Sequence, residues 1–283
     1  MINGLYDGAE NGLHNGLYQG VESEFVANQS NIQIVRNGQV LHLQPQLRNS
    51  YPGSGTVWYD LSGNNYNATL INGPTFNPAN GGSIVFDGTD DYCQIPYQAG
   101  NLYDAGITGE LTLEFWIRWE SISRNLDGGI AFGDFFGNNA AGDYQWQFGK
   151  YASGGQTVFA FQVVNTTQYL DLTQITNTEG FTPPLLKDKT WYNFAYTFSN
   201  AQAKITGYIN GKNVGGTLSG TALSTIPIPG NAARRAISIG GRAGSASRYP
   251  LLGDFASIRV YNRALTSSEI LQNYFASKSA FNL

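Results

Sequence analysis

From about residue 56 to residue 261 the chain is a succession of short segments with period-two hydrophobicity, cut by glycine, asparagine and proline. No other feature restricts the fold as much. The segments fall at 56–60, 83–87, 91–96, 111–119, 128–133, 144–149, 156–164, 191–198, 204–209, 235–239 and 255–261. In LTLEFWIRW, Leu111, Leu113, Phe115, Ile117 and Trp119 share one face, and Thr112, Glu114, Trp116 and Arg118 share the other. Many short strands at regular spacing predict a sandwich or barrel. Composition agrees: 35 glycines and 13% aromatics suit strands joined by tight turns, and 41% hydrophobic residues can build a core.

Two Asn-Gly steps predict tight hairpins. Asn37-Gly38 would pair Val35 with Val40, Ile34 with Leu41 and Ile32 with Leu43, leaving Gln33 and His42 on the opposite face. Asn210-Gly211 would join KITGYI to KNVGG. One helix is predicted at 267–278. Thr266 and Glu269 form its capping box, and Ile270, Leu271, Tyr274 and Phe275 form its apolar stripe.

Ahead of the strands stands a repeat, NGLY-DGAE-NGLH-NGLY-QGVE, over residues 3–22. Gly4, Gly8, Gly12, Gly16 and Gly20 recur every fourth residue, followed by Leu5, Ala9, Leu13, Leu17 and Val21. A helix would pay about 1 kcal/mol for each interior glycine, so an extended or turn-rich form is expected. Such a segment has no core of its own for its aliphatics and needs neighbours. The residues assigned to assembly are Gly4, Leu5, Gly8, Gly12, Leu13, Gly16, Leu17, Gly20 and Val21; a flexible linker is the alternative. The expected division is an assembly segment at 1–31 and a β-sandwich at 32–283.

The formal net charge is −4, and the 16 basic residues are scattered, which disfavours nucleic-acid binding. Cys93 is the sole cysteine, and with only His14 and His42 the chain offers no cysteine or histidine metal site and little material for a triad. No apolar run approaches the roughly 20 residues of a membrane helix. MINGLYDGAENG lacks the charge and apolar stretch of a secretory signal, so export by a cleaved signal is not expected. On that basis the sequons at Asn28, Asn67 and Asn165 are read as coincidental.

Catalytic residues are not found. Glu114 and Glu120 share a strand face but stand about 20 Å apart at roughly 3.3 Å per residue, too far for a glycosidase pair. Asp87, Asp90 and Asp91 could gather around calcium but are read as turn-capping groups, as is Asp60. The run Tyr144, Trp146, Phe148 is read as core packing rather than a sugar platform. No metal or cofactor is expected, and no carbohydrate-binding residue can be assigned.

Several segments resemble a laminin G-like module of the concanavalin A-like lectin/glucanase jelly-roll superfamily. They are SYPGSGTVWYDLSGNNYNATLINGPTF, GGSIVFDGTDDYCQIP, LTLEFWIRW, WYNFAYTF, GYINGKNVG and LLGDFASIRVYNRALTSSEILQNYFASKSAF. The wording is similar to modules in structural proteins of tailed bacteriophages. The chain departs from that pattern at Gln44-Pro45 and Ala256-Ser257, where relatives often carry carboxylates, so sites resting on those are not carried over. Cys93 stands where an aliphatic is usual, and a buried position is expected for it.

The resemblance implies an all-β, two-sheet antiparallel jelly-roll sandwich with a short C-terminal helix. It further implies a non-enzymatic structural subunit of a virion surface assembly: a fibre, appendage or capsid decoration. Expected partners are further copies of the chain in a homo-oligomer or other virion proteins, with surface glycans as ligands; neither nucleic acid nor membrane is expected. The expected location is the virion surface or an extracellular assembly. The alternatives are a glycan-binding lectin or adhesion module and a self-assembling extracellular filament subunit.

Overall fold

The computed structural model describes residues 32–96, 109–124, 127–133, 144–153, 156–164, 169–176, 186–215, 217–221, 236–241 and 250–283. Two antiparallel sheets face each other. The back sheet contains β1 (Gln39–Leu43), β4 (Thr75–Asn77), β5 (Ser83–Asp87), β7 (Glu110–Trp119), β12 (Trp191–Ser199), β13 (Lys204–Ile209), β14 (Lys212–Gly215) and β17 (Leu252–Tyr261). Its order is β14-β13-β12-β7-β17-β5-β4, with β1 also paired to β17. The front sheet contains β2 (Val57–Trp58), β3 (Ala68–Ile71), β6 (Tyr92–Ile95), β8 (Asp127–Gly133), β9 (Tyr144–Ser153), β10 (Gln156–Val164), β11 (Tyr169–Thr176), β15 (Thr217–Gly220) and β16 (Ile237–Ile239). Its order is β15-β11-β10-β9-β8-β16-β6-β3-β2. Helix α1 (Ser267–Ser277) follows β17.

The inner faces interdigitate through aromatic rings. Phe115 on β7 stacks on Phe194 of the neighbouring β12 at 5.9 Å and meets Phe148 of the opposite sheet at 4.7 Å. Trp119 meets Phe159 across the gap at 5.1 Å. Trp146 and Phe148 are fully buried, in keeping with the core reading; the side chain of Tyr144 lies outside the described residues. Cys93 is fully buried and free.

The alternation in β7 is present, but both of its faces are buried. Glu114, Trp116 and Thr112 turn outward beneath a third layer made by α1, the residues after it and the segment 32–36. Trp116 stacks on Phe281 at 4.1 Å and on Tyr274 at 5.8 Å. The helix starts at the predicted cap: Glu269 N–H donates to Thr266 Oγ1, and Thr266 N–H donates to Glu269. Its deepest residues are Ile270 and Asn273, so the buried stripe includes an amide that the apolar pattern passes over.

The hairpin at Asn37-Gly38 does not form. Gly38 has φ 77°, while Asn37 keeps an ordinary negative φ. The turn closes through Gln39 N–H to Arg36 C=O at 3.0 Å. With a negative φ at its first central residue the turn is neither of the primed types whose twist suits a two-residue hairpin. Residues 32–36 are not a strand, β1 pairs with β17 instead, and His42 is buried along with Val40, Leu41 and Leu43. At Asn210-Gly211 both residues have positive φ (51° and 76°), and the hairpin β13–β14 forms as predicted. Strands β3, β4, β11 and β15 were absent from the sequence reading. The repeat at 3–22 lies outside the described residues.

The third layer is held by a buried polar cluster. Glu114 accepts from Asn273 Nδ2 at 2.7 Å, Asn193 Nδ2 at 3.2 Å and Arg259 at 3.3 Å. Asn273 also donates to Tyr261 Oη at 3.0 Å and accepts from Val35 N–H at 2.8 Å. Truncating Asn273 would leave the Val35 N–H and one Glu114 oxygen without these partners. We expect Asn273→Ala to lower the unfolding free energy by about 3 kcal/mol, read from urea midpoints. The neighbouring Gln272→Ala, an exposed contact, should change it by less than about 1 kcal/mol.

Candidate binding face

The carboxylates singled out from the sequence occupy distinct settings. Glu114 is fully buried; desolvation raises its pKa, opposed by the charge of Arg259 and by hydrogen bonds from Asn273 and Asn193. A group sealed beneath a helix layer meets no substrate. Asp254, which sequence reasoning missed, joins Glu120 around one guanidinium. Arg118 Nε lies 2.9 Å from Asp254 Oδ2, and Arg118 Nη2 lies 3.3 Å from Glu120 Oε2. Lys189 adds a contact to Glu120 at 3.0 Å. Two carboxylates bridged by a cation form an ion-pair cluster, not the open acid and base pair that glycoside hydrolysis uses.

Asp60 builds the 60–66 loop. Its Oδ1 accepts from His42 N–H and Ser62 N–H, both at 2.9 Å, and its Oδ2 accepts from Tyr66 N–H at 3.1 Å. The turn role expected of it is present, extended to anchor β1. Asp87, Asp90 and Asp91 each bring one carboxylate oxygen within 4.8 Å of the others. Asp87 accepts from Thr89 N–H at 2.7 Å, and Asp91 accepts from Asp87 N–H at 3.0 Å. Those two oxygens hold their own turn, as expected of capping groups.

Lys150 is a buried ammonium that donates to the carbonyls of Ser121, Ile122 and Arg124 at 2.9–3.0 Å. Arg124 in turn donates to Pro250 C=O and Gly88 C=O, both at 2.8 Å. Together these two cations fasten the 121–124 loop to its neighbours through backbone carbonyls.

His42 accepts at Nδ1 from Arg36 at 3.0 Å and, through Nε2–H, donates to Gln44 Oε1 at 2.8 Å. Burial lowers its pKa to about 3; the positive charges of Arg259 and Arg36 act in the same direction, against the hydrogen bond to Gln44.

The outer face of the front sheet is of another kind. Strand pairing aligns Thr69 with Gln94, Gln94 with Ser238, Ser238 with position 131, 131 with Gln147, and Gln147 with Gln162. The register continues through Asp171 to Ser219. Each described member is flanked by core residues, as Gln147 is by Trp146 and Phe148, so all stand on the face away from the core. Gln147 donates its amide to Gln162. Ser238 and Gln147 are buried, Gln94 and Gln162 half-buried and Thr69 exposed, so the row is accessible at its β3–β6 end. Tyr92, half-buried, shares that face. From Thr69 to Gln162 the row covers about 24 Å at roughly 4.8 Å per strand.

An amide both donates and accepts, which suits a ligand carrying hydroxyl groups. An aromatic ring beside it adds an apolar surface, the usual make-up of a small-molecule site. The sequence shows each of these residues as polar between apolar neighbours; that they line up follows only from the register. The sequence-assigned assembly residues at 4–21 lie outside the described residues. Among the described residues no helix is long and apolar enough to cross a membrane.

Comparison with known proteins places this geometry. The family model of the concanavalin A-like lectin/glucanases superfamily matches residues 87–271. No curated protein matches the chain by sequence. Among solved structures, the binding domain of botulinum neurotoxin DC in complex with SialylT is similar, with TM-score 0.58 and 16% identity, over 84% of this chain and 51% of that one. The same domain in complex with rat synaptotagmin II gives 0.58 and 15%, over 85% and 52%. The chain thus spans about half the length of those neurotoxin domains. Domain 4 of AbnA, an extracellular GH43 arabinanase from Geobacillus stearothermophilus, in complex with arabinotriose, gives 0.54 and 14%, over 83% of this chain and 98% of that domain. At these identities the likeness is one of fold.

The His42 shift predicts a pH dependence. The unfolded chain takes up a proton near pH 6.5 and the folded protein only near pH 3. This group therefore contributes stability that is complete above about pH 6.5 and is lost as the pH falls toward 3. Glu114 works the other way in acid, so the His42 contribution is isolated by difference. The stability gap between wild type and His42→Gln should narrow from about pH 7 to about pH 4, by at most about 1.4 kcal/mol per pH unit. Denaturant titrations across that range check it; a constant gap would contradict it.

Proposed function

Because the chain belongs to the concanavalin A-like lectin/glucanases superfamily, we propose that it is a non-catalytic lectin-like display module that takes a glycan on the outer face of its front sheet. The observation that carries this reading is the accessible end of the row, Thr69 and Gln94 with Tyr92 beside them, which the buried Ser238 and Gln147 continue along the sheet. The back sheet is closed by α1, and Glu114 is sealed beneath it, which leaves the front sheet as the broad face for a ligand. The similar domains solved with SialylT and with arabinotriose support a saccharide as the ligand class.

The module is carried by a multi-copy surface assembly, a virion fibre, appendage or decoration. Residues 1–31 serve assembly and 32–283 form the displayed sandwich. What supports this part is the register of the repeat. Leu5, Leu13, Leu17 and Val21 each stand to gain about 1.5–3 kcal/mol on full burial, and a single 20-residue segment supplies no core for them. Glycines at every fourth position permit close backbone approach.

Two experiments test the two parts. Glycan-array binding of the full chain, sialylated and arabino-oligosaccharides included, should give ligands whose affinity falls at least about tenfold in Tyr92→Ala and in Gln94→Ala, as loss of a well-placed contact does. An array with no hit, or variants that bind like wild type, would remove the front-sheet site. Separately, replacing Gly8, Gly12 and Gly16 together by valine should turn an assembly into single chains by sedimentation while the circular dichroism stays unchanged. Unaltered assembly would return the repeat to the role of linker.

A further inference from the structure

Two tyrosines differ from the rest in what the fold asks of them. Tyr51, Tyr192, Tyr208 and Tyr261 commit their hydroxyls to hydrogen bonds. Tyr196 and Tyr274 stack on Phe161 and Trp116. Tyr59 is 45% exposed and Tyr92 is half-buried. Among the described residues neither of these two rings meets another ring, and neither hydroxyl has a hydrogen-bond partner. The same holds for the hydroxyl of Thr69 and the amide of Gln94, whereas Gln147 gives its amide to Gln162. Side chains that can stack or hydrogen-bond, and that the fold does not use, thus stand at the accessible end of the front sheet.

Register sets their arrangement. Val57 pairs with Thr69 and Trp58 with Ala68, so Tyr59, the next residue, stands beside Asn67. Its neighbours Trp58 and Asp60 are buried, so Tyr59 turns outward. On β6, Gln94 pairs with Thr69 and Tyr92 with Ile71, and the fully buried Cys93 between them leaves both turned outward. The line from Tyr59 to Tyr92 therefore crosses from β2 over β3 to β6 and has Thr69 at its midpoint, with Gln94 beside it. Its length is about 16 Å, at roughly 4.8 Å per strand and 3.3 Å per residue. Side chains stand roughly perpendicular to a sheet, so the rings keep about that spacing. A ring stacked on a tyrosine lies within roughly 4.5–7 Å of it, so one sugar ring cannot cover both. A linear chain can, with a unit over each tyrosine and at least one over Thr69, where a hydroxyl and the Gln94 amide both donate and accept.

Charge selects within that class. No lysine or arginine shares the described outer face of β2, β3 and β6. The turn leading into Tyr92 carries Asp87, Asp90 and Asp91, with one carboxylate oxygen of each within 4.8 Å of the others. Arg124, which reaches this turn, donates to the carbonyls of Gly88 and Pro250. Arg48 is exposed near the other end, two positions before Ser50, whose C=O accepts from Tyr59 N–H at 2.7 Å. An acidic sugar over Tyr92 would face like charges, without the guanidinium fork that suits a carboxylate. We propose that this site takes a neutral linear oligosaccharide, laid from Tyr59 across Thr69 to Tyr92, and discriminates against acidic sugars. This deepens the glycan-binding reading above and rests on it.

The test titrates the full chain by calorimetry with cello-, xylo-, manno- and arabino-oligosaccharides, each from disaccharide to hexasaccharide. In the series that binds, affinity should rise at least about tenfold from disaccharide to pentasaccharide and then level off, as linked contacts allow. Tyr59→Ala and Tyr92→Ala should each lower pentasaccharide affinity at least about fivefold, the loss that marks an important contact, and flatten the rise with length. Tyr59→Phe, which keeps the ring, should bind within about twofold of wild type. Should circular dichroism show Tyr59→Ala misfolded, Tyr59→Gln gives the same reading. The counterpart of the bound pentasaccharide with a uronic acid at its non-reducing end should bind at least about fivefold more weakly, and added salt should narrow that gap by screening. Affinity that ignores chain length, Tyr59→Ala and Tyr59→Gln binding like wild type, or a uronic-acid chain bound as tightly as the neutral one would each overturn this proposal alone, provided Tyr92→Ala and Gln94→Ala weaken binding. No binding in any series, or binding that survives both Tyr92→Ala and Gln94→Ala, would overturn the proposal and the front-sheet glycan site together.

Discussion

Strand β7 is buried on both faces, and the rest of the molecule is arranged around that fact. Its inner face supplies Phe115 and Trp119 to the aromatic layer between the sheets. Its outer face carries Glu114 and Trp116 into a second, smaller interior. A carboxylate in that position is costly unless it is paired and hydrogen-bonded. Arg259, Asn193 and Asn273 meet that requirement, and each comes from a different element. Neighbouring strands, helix and the approach of the N-terminal segment are thus tied to one side chain.

That arrangement makes the two sheets unequal. The back sheet is covered over Glu114 and Arg259, and at one end Arg118, Glu120 and Asp254 form an ion-pair cluster. Among the described residues of β3, β6, β16, β9 and β10, the neighbours of Thr69, Gln94, Ser238, Gln147 and Gln162 turn into the core and these polar side chains turn outward. The two outer faces of the sandwich thus differ in kind: one lies under the third layer, the other carries a row of polar side chains. The same covering explains why Glu114, the carboxylate in the middle of the strand most evident in the sequence, belongs to stability rather than to chemistry.

Much of the architecture was legible in the residues. Strands β5, β10 and β13 fall on their expected bounds, because period-two alternation bounded by glycine and asparagine leaves few other readings. The cap at Thr266 and Glu269 was legible because both partners lie within one turn of each other. The short strands β3 and β4 were not, since three or four residues carry too little alternation to stand out. The Asn37-Gly38 hairpin failed because an Asn-Gly pair sets a preference for positive φ but does not enforce it, and pairing with β17 together with the bonds from Asn273 and Tyr261 drew residues 32–36 elsewhere.

The sequence by itself determined the fold class, the capped helix and the burial of the aromatic face of β7, because all of these follow from local periodicity and local hydrogen bonding. Which residues meet was decided only by the tertiary structure. Gln94, Gln147, Gln162 and Ser238 are scattered over 145 positions, and only strand register brings them into one row. Asn273 reads as a gap in an apolar stripe until the helix is laid over Glu114. Pairing between distant strands and the desolvation of a charge depend on the whole chain's arrangement, so neither has a signature in the spacing of neighbouring residues.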